Sequence, residues 1–178
     1  DWEAAAFPLV AALITGSEIV IDNIDNSGSQ GDAIVADILK SIGANIKIED
    51  GNLYVSKSRL STRNLKNGEL HANLSGCPDA LCALAAASCF TEGTCVFEDI
   101  KVCRSKETDR IEVMEKELRA LGANIETGED YLAVHGQPQF LSDGSKNPAF
   151  AMHGGIAESY GDHRVAMSLA CISLALPE

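Results

Sequence analysis

The feature that most constrains this chain is that its sequence repeats itself. Residues 16 to 24, GSEIVIDNI, resemble residues 93 to 100, GTCVFEDI, and SIGANIKIEDGNLYV (41 to 55) resembles ALGANIETGEDYLAV (120 to 134), at offsets of 77 and 79 residues. A repeat of this kind sets the architecture before any local assignment does, because each copy must be one supersecondary unit. Each copy reads as an apolar helix, a short β-rich run, an amphipathic helix and two short strands. The amphipathic helices carry apolar stripes, Ile34, Val35, Ile38, Leu39 and Ile42 in the first copy and Ile111, Met114, Leu118 and Leu121 in the second. Gly43 and Gly122 stand where a left-handed residue stops a helix, and a hairpin follows each: NIKIE and LYVS around Asp50-Gly51-Asn52, and NIETG and YLAVH around Glu129-Asp130.

The apolar helices occur three times. AAAFPLVAALIT, ALCALAAASCFTE and RVAMSLACISLAL each follow an aspartate, Asp1, Asp79 and Asp162, and end at similar distances, before Gly16, Gly93 and Pro177. A helix apolar on every side is expected to be buried, and an acid in its first turn complements the dipole. Pro8 should bend or break the first of the three. With ELHANLS (69 to 75) as a preceding strand, the unit is βαβαββ. The fold class expected is therefore α/β (α+β), built of repeated βαβαββ units around three pseudo-equivalent buried helices. A single partial domain is expected over 1–178, with a first unit at 1–56, a linker at 57–68, a second unit at 69–136, a loop at 137–160 and the start of an incomplete third unit at 161–178. The basic connection SKSRLSTRNLKNG (56 to 68) reads as solvated linker, with a phosphate site as the sharper alternative.

Length and charge remove several function classes. At 178 residues the chain suits one domain, and 14 basic against 26 acidic residues, a net charge of −12, argue against nucleic-acid or anionic-membrane partners. No run approaches the roughly 20 apolar residues of a membrane span. The start, Asp1-Trp2-Glu3, has neither an initiating Met nor a basic leader region, so a fragment or processed chain is expected. Six cysteines without a CxxC pair, three of them in or beside the Ala-rich run, read as small buried thiols in a reducing cytoplasm. Four scattered histidines give no zinc pattern, and no metal is expected.

Chemistry concentrates at three helix starts. Lys101-Val102-Cys103-Arg104-Ser105-Lys106-Glu107-Thr108-Asp109-Arg110 holds four of the 14 basic residues, with Asp109 and Glu112 at capping-box spacing. Cations there oppose the helix dipole, so something anionic should offset them: a bound phosphate or carboxylate held by backbone N–H groups, Lys and Arg, or local salt bridges. The first copy has Ser-Gly-Ser-Gln-Gly (27 to 31) where the second has Lys106 to Arg110, so the fold does not require the charges. Gly161-Asp162-His163-Arg164 opens the third apolar helix and reads equally as a cap with a surface Arg. Cys77-Pro78-Asp79-Ala80 opens the second, where Asp79 taken alone reads as a cap.

Together these segments resemble the EPSP synthase family. RSKETDRIEVMEKELRALGANIE is similar to that family's R-V-K-E-[ST]-D-R segment, YGDHRVAMSLA to its D-H-R-x-A-M signature, CPDALCALAAASCFTEGT to its P-D-aliphatic segment, and DWEAAAFPLVAALITG to the stretch entering its second globular domain. Order and spacing agree over nearly the whole chain, and the sister family acting on UDP-N-acetylglucosamine lacks the KETDR and DHRVAM pair. The resemblance implies transfer of the enolpyruvyl group of phosphoenolpyruvate to the 5-hydroxyl of shikimate 3-phosphate, through a tetrahedral intermediate and with no metal or organic cofactor. It implies Asp79 as the base on the attacking hydroxyl and Glu107 as the acid/base at the methylene carbon. Lys106 would lie between the substrates, Arg110 and Arg164 would hold phosphoenolpyruvate, and His163 would line the site. Ser105 departs from the usual Val. The family closes two domains of three units each around its substrates, so the resemblance implies the other domain of the same enzyme as a partner, with a C-terminal lysine expected after the DHR helix, and the chain alone is expected to be inactive. The alternatives are a noncatalytic anion-binding or interaction module on the same scaffold, and an enolpyruvyl transferase with another acceptor.

Overall fold

A computed structural model describes residues 1–25, 27 and 29–176; Gly28 and Pro177, which entered the repeat alignment, and Glu178, the last position of the expected third unit, lie outside the described residues. Helix α1 (Trp2–Thr15) leads into β1 (Ile19–Ile21), α2 (Ile34–Ser41) and the hairpin of β2 (Asn45–Glu49) and β3 (Asn52–Ser56). Then come β4 (Glu69–Asn73), α3 (Leu81–Cys89), β5 (Gly93–Glu98), α4 (Arg110–Ala120), the hairpin of β6 (Ile125–Thr127) and β7 (Tyr131–Gly136), and α5 (His163–Ala175). Single 3-10 turns at Gly31–Ala33, Pro78–Ala80 and Lys101–Ser105 stand before α2, before α3 and after β5.

The three apolar helices form the centre, each touching both of the others. All nine residues of α3 are buried, because its Ala and Cys side chains let neighbours approach on every side. Burial of a single leucine such as Leu81 or Leu84 is worth about 2–3 kcal/mol. Helix α5 departs from the expected all-round burial. Val165, Ser168, Cys171 and Ile172 face α1 and α3, whereas Ala166, Ala170 and Leu174 are exposed, Leu174 by 68%. Its composition allows burial on all sides, but among the described residues only one side is covered. Nor does Pro8 break α1, which runs on through it. Pro8 and Ala4 are both on the exposed side, so water can satisfy the carbonyl that loses its helical donor.

Two sheets flank this centre, ordered β1-β3-β2 and β4-β5-β7-β6; all pairs are antiparallel except β4 with β5. The two copies share a register. Ile46 faces Val55 as Ile125 faces Val134, and Ile19 faces Val55 as Cys95 faces Val134. Helices α2 and α4 end alike: Ala44 N–H returns to Leu39 O at 3.0 Å, Ala123 N–H to Leu118 O at 2.9 Å, and Gly43 and Gly122 take φ values of 100° and 90°.

The likeness extends into stretches that carry no repeat in sequence. Ser61 N–H bonds Ile42 O at 2.8 Å and His153 N–H bonds Leu121 O at 3.0 Å. At the same ends, Arg59 O and Ala151 O lie where a Cβ on Gly43 or Gly122 would meet them, at 2.8 and 2.4 Å. The basic segment after β3 and the Pro/Gly/Ser-rich segment after β7 thus both return to clamp a helix end, a task for backbone that leaves side-chain identity free. The first is not wholly solvated: Leu60 and Thr62 are buried, Thr62 Oγ1 donates to Gly68 O at 2.6 Å, and Arg59 and Arg63 pair with Glu92.

Candidate active site

The N-terminal ends of α1, α3, α4 and α5 meet on one side of the domain, and the charged residues meet there. The local chain explains why. Pro78 stands at the first position of its 3-10 turn and directs the chain into α3, while Cys103 is buried under the Lys101–Ser105 turn and its Sγ–H donates to Pro78 O at 3.3 Å. The two turns carrying Asp79 and Lys106 are thereby joined. Burial pushes the Cys103 thiol up to about 11, so it remains a donor. Asp109 then caps α4, accepting from Glu112 N–H at 3.0 Å, and Arg110 enters as its first residue.

Arg110 is the hub and is only 1% exposed. Its Nη1 donates to Asp79 Oδ1 at 2.7 Å, its Nη2 to Glu107 Oε2 at 2.6 Å, and its Nε to Asp162 Oδ2 at 2.8 Å. Lys106 Nζ lies 3.0 Å from Asp79 Oδ1, and Arg164 Nη2 lies 3.7 Å from Asp79 Oδ2 and pairs with Glu3 at the start of α1. His163 Nδ1 is 4.0 Å from Glu107 Oε1, and both side chains are open to solvent. All six residues singled out in the sequence, Asp79, Lys106, Glu107, Arg110, His163 and Arg164, therefore belong to one network.

Two simpler readings give way here. Asp79 makes no cap bond to the helix it precedes, because its carboxylate turns instead to Lys106 and Arg110. Arg164 is buried rather than a surface residue, enclosed between α1 and Asp79. Burial raises the Asp79 carboxyl, but Lys106, Arg164 and Arg110 outweigh it and hold the group below its ordinary value. The basic run splits. Arg104 is spent on the frame, donating to Asp109, Glu129 O and Gly128 O, and Lys101 pairs with Glu129; only Lys106 and Arg110 face the network. The anions that offset these cations are the protein's own carboxylates. Ser105 faces solvent.

Three participants were not singled out in the sequence. Asp162 is wholly buried and reaches Arg110 as well as capping α5; Glu3 crosses to Arg164; and Asp32, in the turn before α2, is held above its ordinary value by burial and by the charges of Glu3 and Asp79. Asp162 stood in the sequence at the head of the third apolar helix and in the Asp-His-Arg motif, but its place there, equivalent to Asp1 and Asp79, reads as capping.

The model of the family described as EPSP synthase (3-phosphoshikimate 1-carboxyvinyltransferase) matches residues 1–178. The chain belongs to the EPSP synthase family. The 3-phosphoshikimate 1-carboxyvinyltransferase of Acetivibrio thermocellus is 36% identical over 174 residues, and that of Vibrio vulnificus 38% identical over 175, each alignment covering 98% of this chain and 36% of the relative. A solved structure of EPSP synthase from Acinetobacter baumannii superposes with a TM-score of 0.76 at 26% identity, covering 98% of this chain and 39% of that one. The chain thus spans little more than a third of the length of its curated EPSP synthase relatives.

Proposed function

We propose that this chain forms one wall of an enolpyruvyl transferase site, in which the 5-hydroxyl of shikimate 3-phosphate attacks C2 of phosphoenolpyruvate. The observation that carries this reading is Asp79 drawn away from its helix end into contact with Lys106 and Arg110, beside the half-exposed Glu107. Asp79, kept ionised, takes the proton of the attacking hydroxyl. Glu107 delivers a proton to the methylene carbon, giving a tetrahedral intermediate, then takes a proton back from the resulting methyl as phosphate leaves and the enol ether forms. Lys106 lies between the two anionic substrates, Arg110 and Arg164 hold phosphoenolpyruvate, and His163 lines the site. The chemistry is proton transfer and anion binding, for which these side chains suffice without a cofactor.

The remaining length of the relatives supports a covering domain as the partner that completes the site, with repeat units at 1–56 and 69–136 and a third beginning at 161. Six buried free thiols suit a reducing cytoplasm. One partial wall can neither exclude water nor hold two anions in reacting geometry, contributions of several kcal/mol each. Phosphate release from phosphoenolpyruvate and shikimate 3-phosphate tests the reading on three samples: this chain, the full-length protein and its Glu107→Gln variant. The chain alone should release nothing measurable, and the variant should lose roughly 10²-fold or more in kcat with little change in KM. Robust release by the isolated chain, or an unaffected variant, would overturn it.

A further inference from the structure

A capping aspartate needs only to accept from the first N–H groups of its helix, and Asn or Ser does this about as well. Asp162 does more. Its Oδ1 accepts from Arg164 N–H at 2.9 Å and Val165 N–H at 3.5 Å, and also from Arg110 Nη2 at 3.3 Å; its Oδ2 accepts from Arg110 Nε at 2.8 Å and Thr108 Oγ1 at 3.2 Å. A carboxylate that is 0% exposed, with both oxygens filled from the starts of two different helices, is a larger device than a helix cap requires.

The donor inventory shows what the device does. A guanidinium has five N–H groups in one rigid plane. Asp162 takes the edge formed by Nε and one N–H of Nη2, which fixes that plane. The other Nη2 N–H is then aimed at Glu107, and Nη1 at Asp79. Because the same carboxylate holds the first N–H groups of α5, the backbone carrying His163 and Arg164 is locked to the same plane.

We infer that Asp162 is a positioning residue: by gripping the Nε edge of Arg110 together with the start of α5, it aims Arg110 at Asp79 and Glu107 and sets Arg164 and His163 in register with them. This inference rests on the function proposed above for what the aimed groups do, but the grip itself can be observed without turnover. Fixing a guanidinium in advance removes reorientation from the reacting step, and misplacement of about 1 Å at a site of this kind costs on the order of 10²-fold in rate.

The test uses full-length protein with arginine labelled at Nε. In the wild type the Arg110 Nε–H, assigned by its loss in Arg110→Lys, should exchange slowly with solvent. In Asp162→Asn and Asp162→Ser, which keep a cap but not the two-oxygen grip, it should exchange quickly and kcat should fall roughly 10²-fold. The acid limb of the kcat profile should move to higher pH, since Asp79 loses a fixed cation that helps hold its carboxyl down. Gly122→Ala, at the far end of α4, supplies a destabilised reference whose kcat and pH profile should stay put.

Fast exchange of the Arg110 Nε–H in the wild type would overturn the inference whether or not the variants fold. So would Asn or Ser variants with wild-type kcat and pH profile, or a kcat loss no larger than that of Gly122→Ala at equal stability. A wild type inactive with these two substrates but showing the slow Nε–H, lost in both variants, would instead refute the substrate reading and leave the positioning role standing.

Discussion

The turns that lead into α2 and α4 hold equivalent places in the two copies, Gly31 matching Arg110, and they are built in opposite ways. At the first, Gln30 Oε1 accepts from Trp2 N–H at 2.8 Å, and Gly31 sits so near Gly76 that a Cβ would come within 2.9 Å of its carbonyl oxygen. At the second, a buried arginine ties three carboxylates from three segments. One position is closed by backbone contact and the other by charge, on the same scaffold. A fold that accepts glycine at this point does not need an arginine there, so the charge belongs to a site placed on the fold and not to the fold itself.

The largest expected effect comes from removing the hub. Arg110→Ala leaves Asp79, Glu107 and Asp162 without their shared cation and should cost about 3–5 kcal/mol in urea unfolding of the full-length protein, whereas Gly31→Ala should cost about 1 kcal/mol through a strained contact. If the arginine variant proved as stable as the glycine one, the contrast between the two turns would collapse.

Next come the positions where the copies agree. Gly43→Ala and Gly122→Ala each combine a left-handed φ with a Cβ aimed at a carbonyl oxygen, at 2.8 and 2.4 Å. Both should lower stability by roughly 1–3 kcal/mol, the second more than the first. A neutral result at either would mean that the returning segments do not clamp the helix ends alike.

A smaller effect should follow from Glu3→Gln, which weakens the pair between α1 and Arg164. Arg164 is then freer to take an anion, and on the function proposed above the KM of the full-length protein for phosphoenolpyruvate should fall roughly threefold, the scale of a half-exposed ion pair, with kcat unchanged. A raised KM would show Glu3 to be a support of Arg164 and not its competitor.

The smallest effect concerns the sign of the pH response. Asp79 and Asp162 sit below their ordinary values in the fold, each because its cation and hydrogen-bond partners outweigh burial. Their contribution to stability is complete above the unfolded value of about 3.9 and is lost as pH falls through the lower folded values. Asp32 runs the other way. Its folded value is raised, so the stability it contributes fades as pH rises through that value. Asp32→Asn should therefore raise the urea midpoint at pH 7 and leave it unchanged near pH 3, while Asp162→Asn should flatten the loss of stability in acid.

What could be read from the sequence follows the same division. Apolar periodicity, helix-stopping glycines and hairpin turns are local, so the helix order and both hairpins were legible, as was the grouping of the three apolar helices at the centre. Backbone clamping leaves no side-chain trace, which is why the equivalence of the segments after β3 and β7 was invisible. Partner choice within the basic run is tertiary: nothing local separates Arg104, which holds the frame, from Arg110, which holds the site. Asp162 looked like a cap because it is one, and its second contact lies across 52 residues of chain.

The six cysteines offer a way to watch this molecule come apart. All are buried and none is bonded to another. Burial drives the thiols of Cys82 and Cys89 up to about 12 and that of Cys95 up to about 11, so neither alkylating agents nor oxidants meet a thiolate while the native packing lasts. Each cysteine is then a clock that starts only when its own neighbourhood opens. Cys171, which reaches from α5 to Phe7 O in α1, times the parting of those two helices, while Cys82 and Cys89 time the exposure of α3. With α5 covered on one side among the described residues, Cys171 should be alkylated first under mild urea and the α3 pair last, so mass spectrometry of labelled peptides would give the order in which the core is lost.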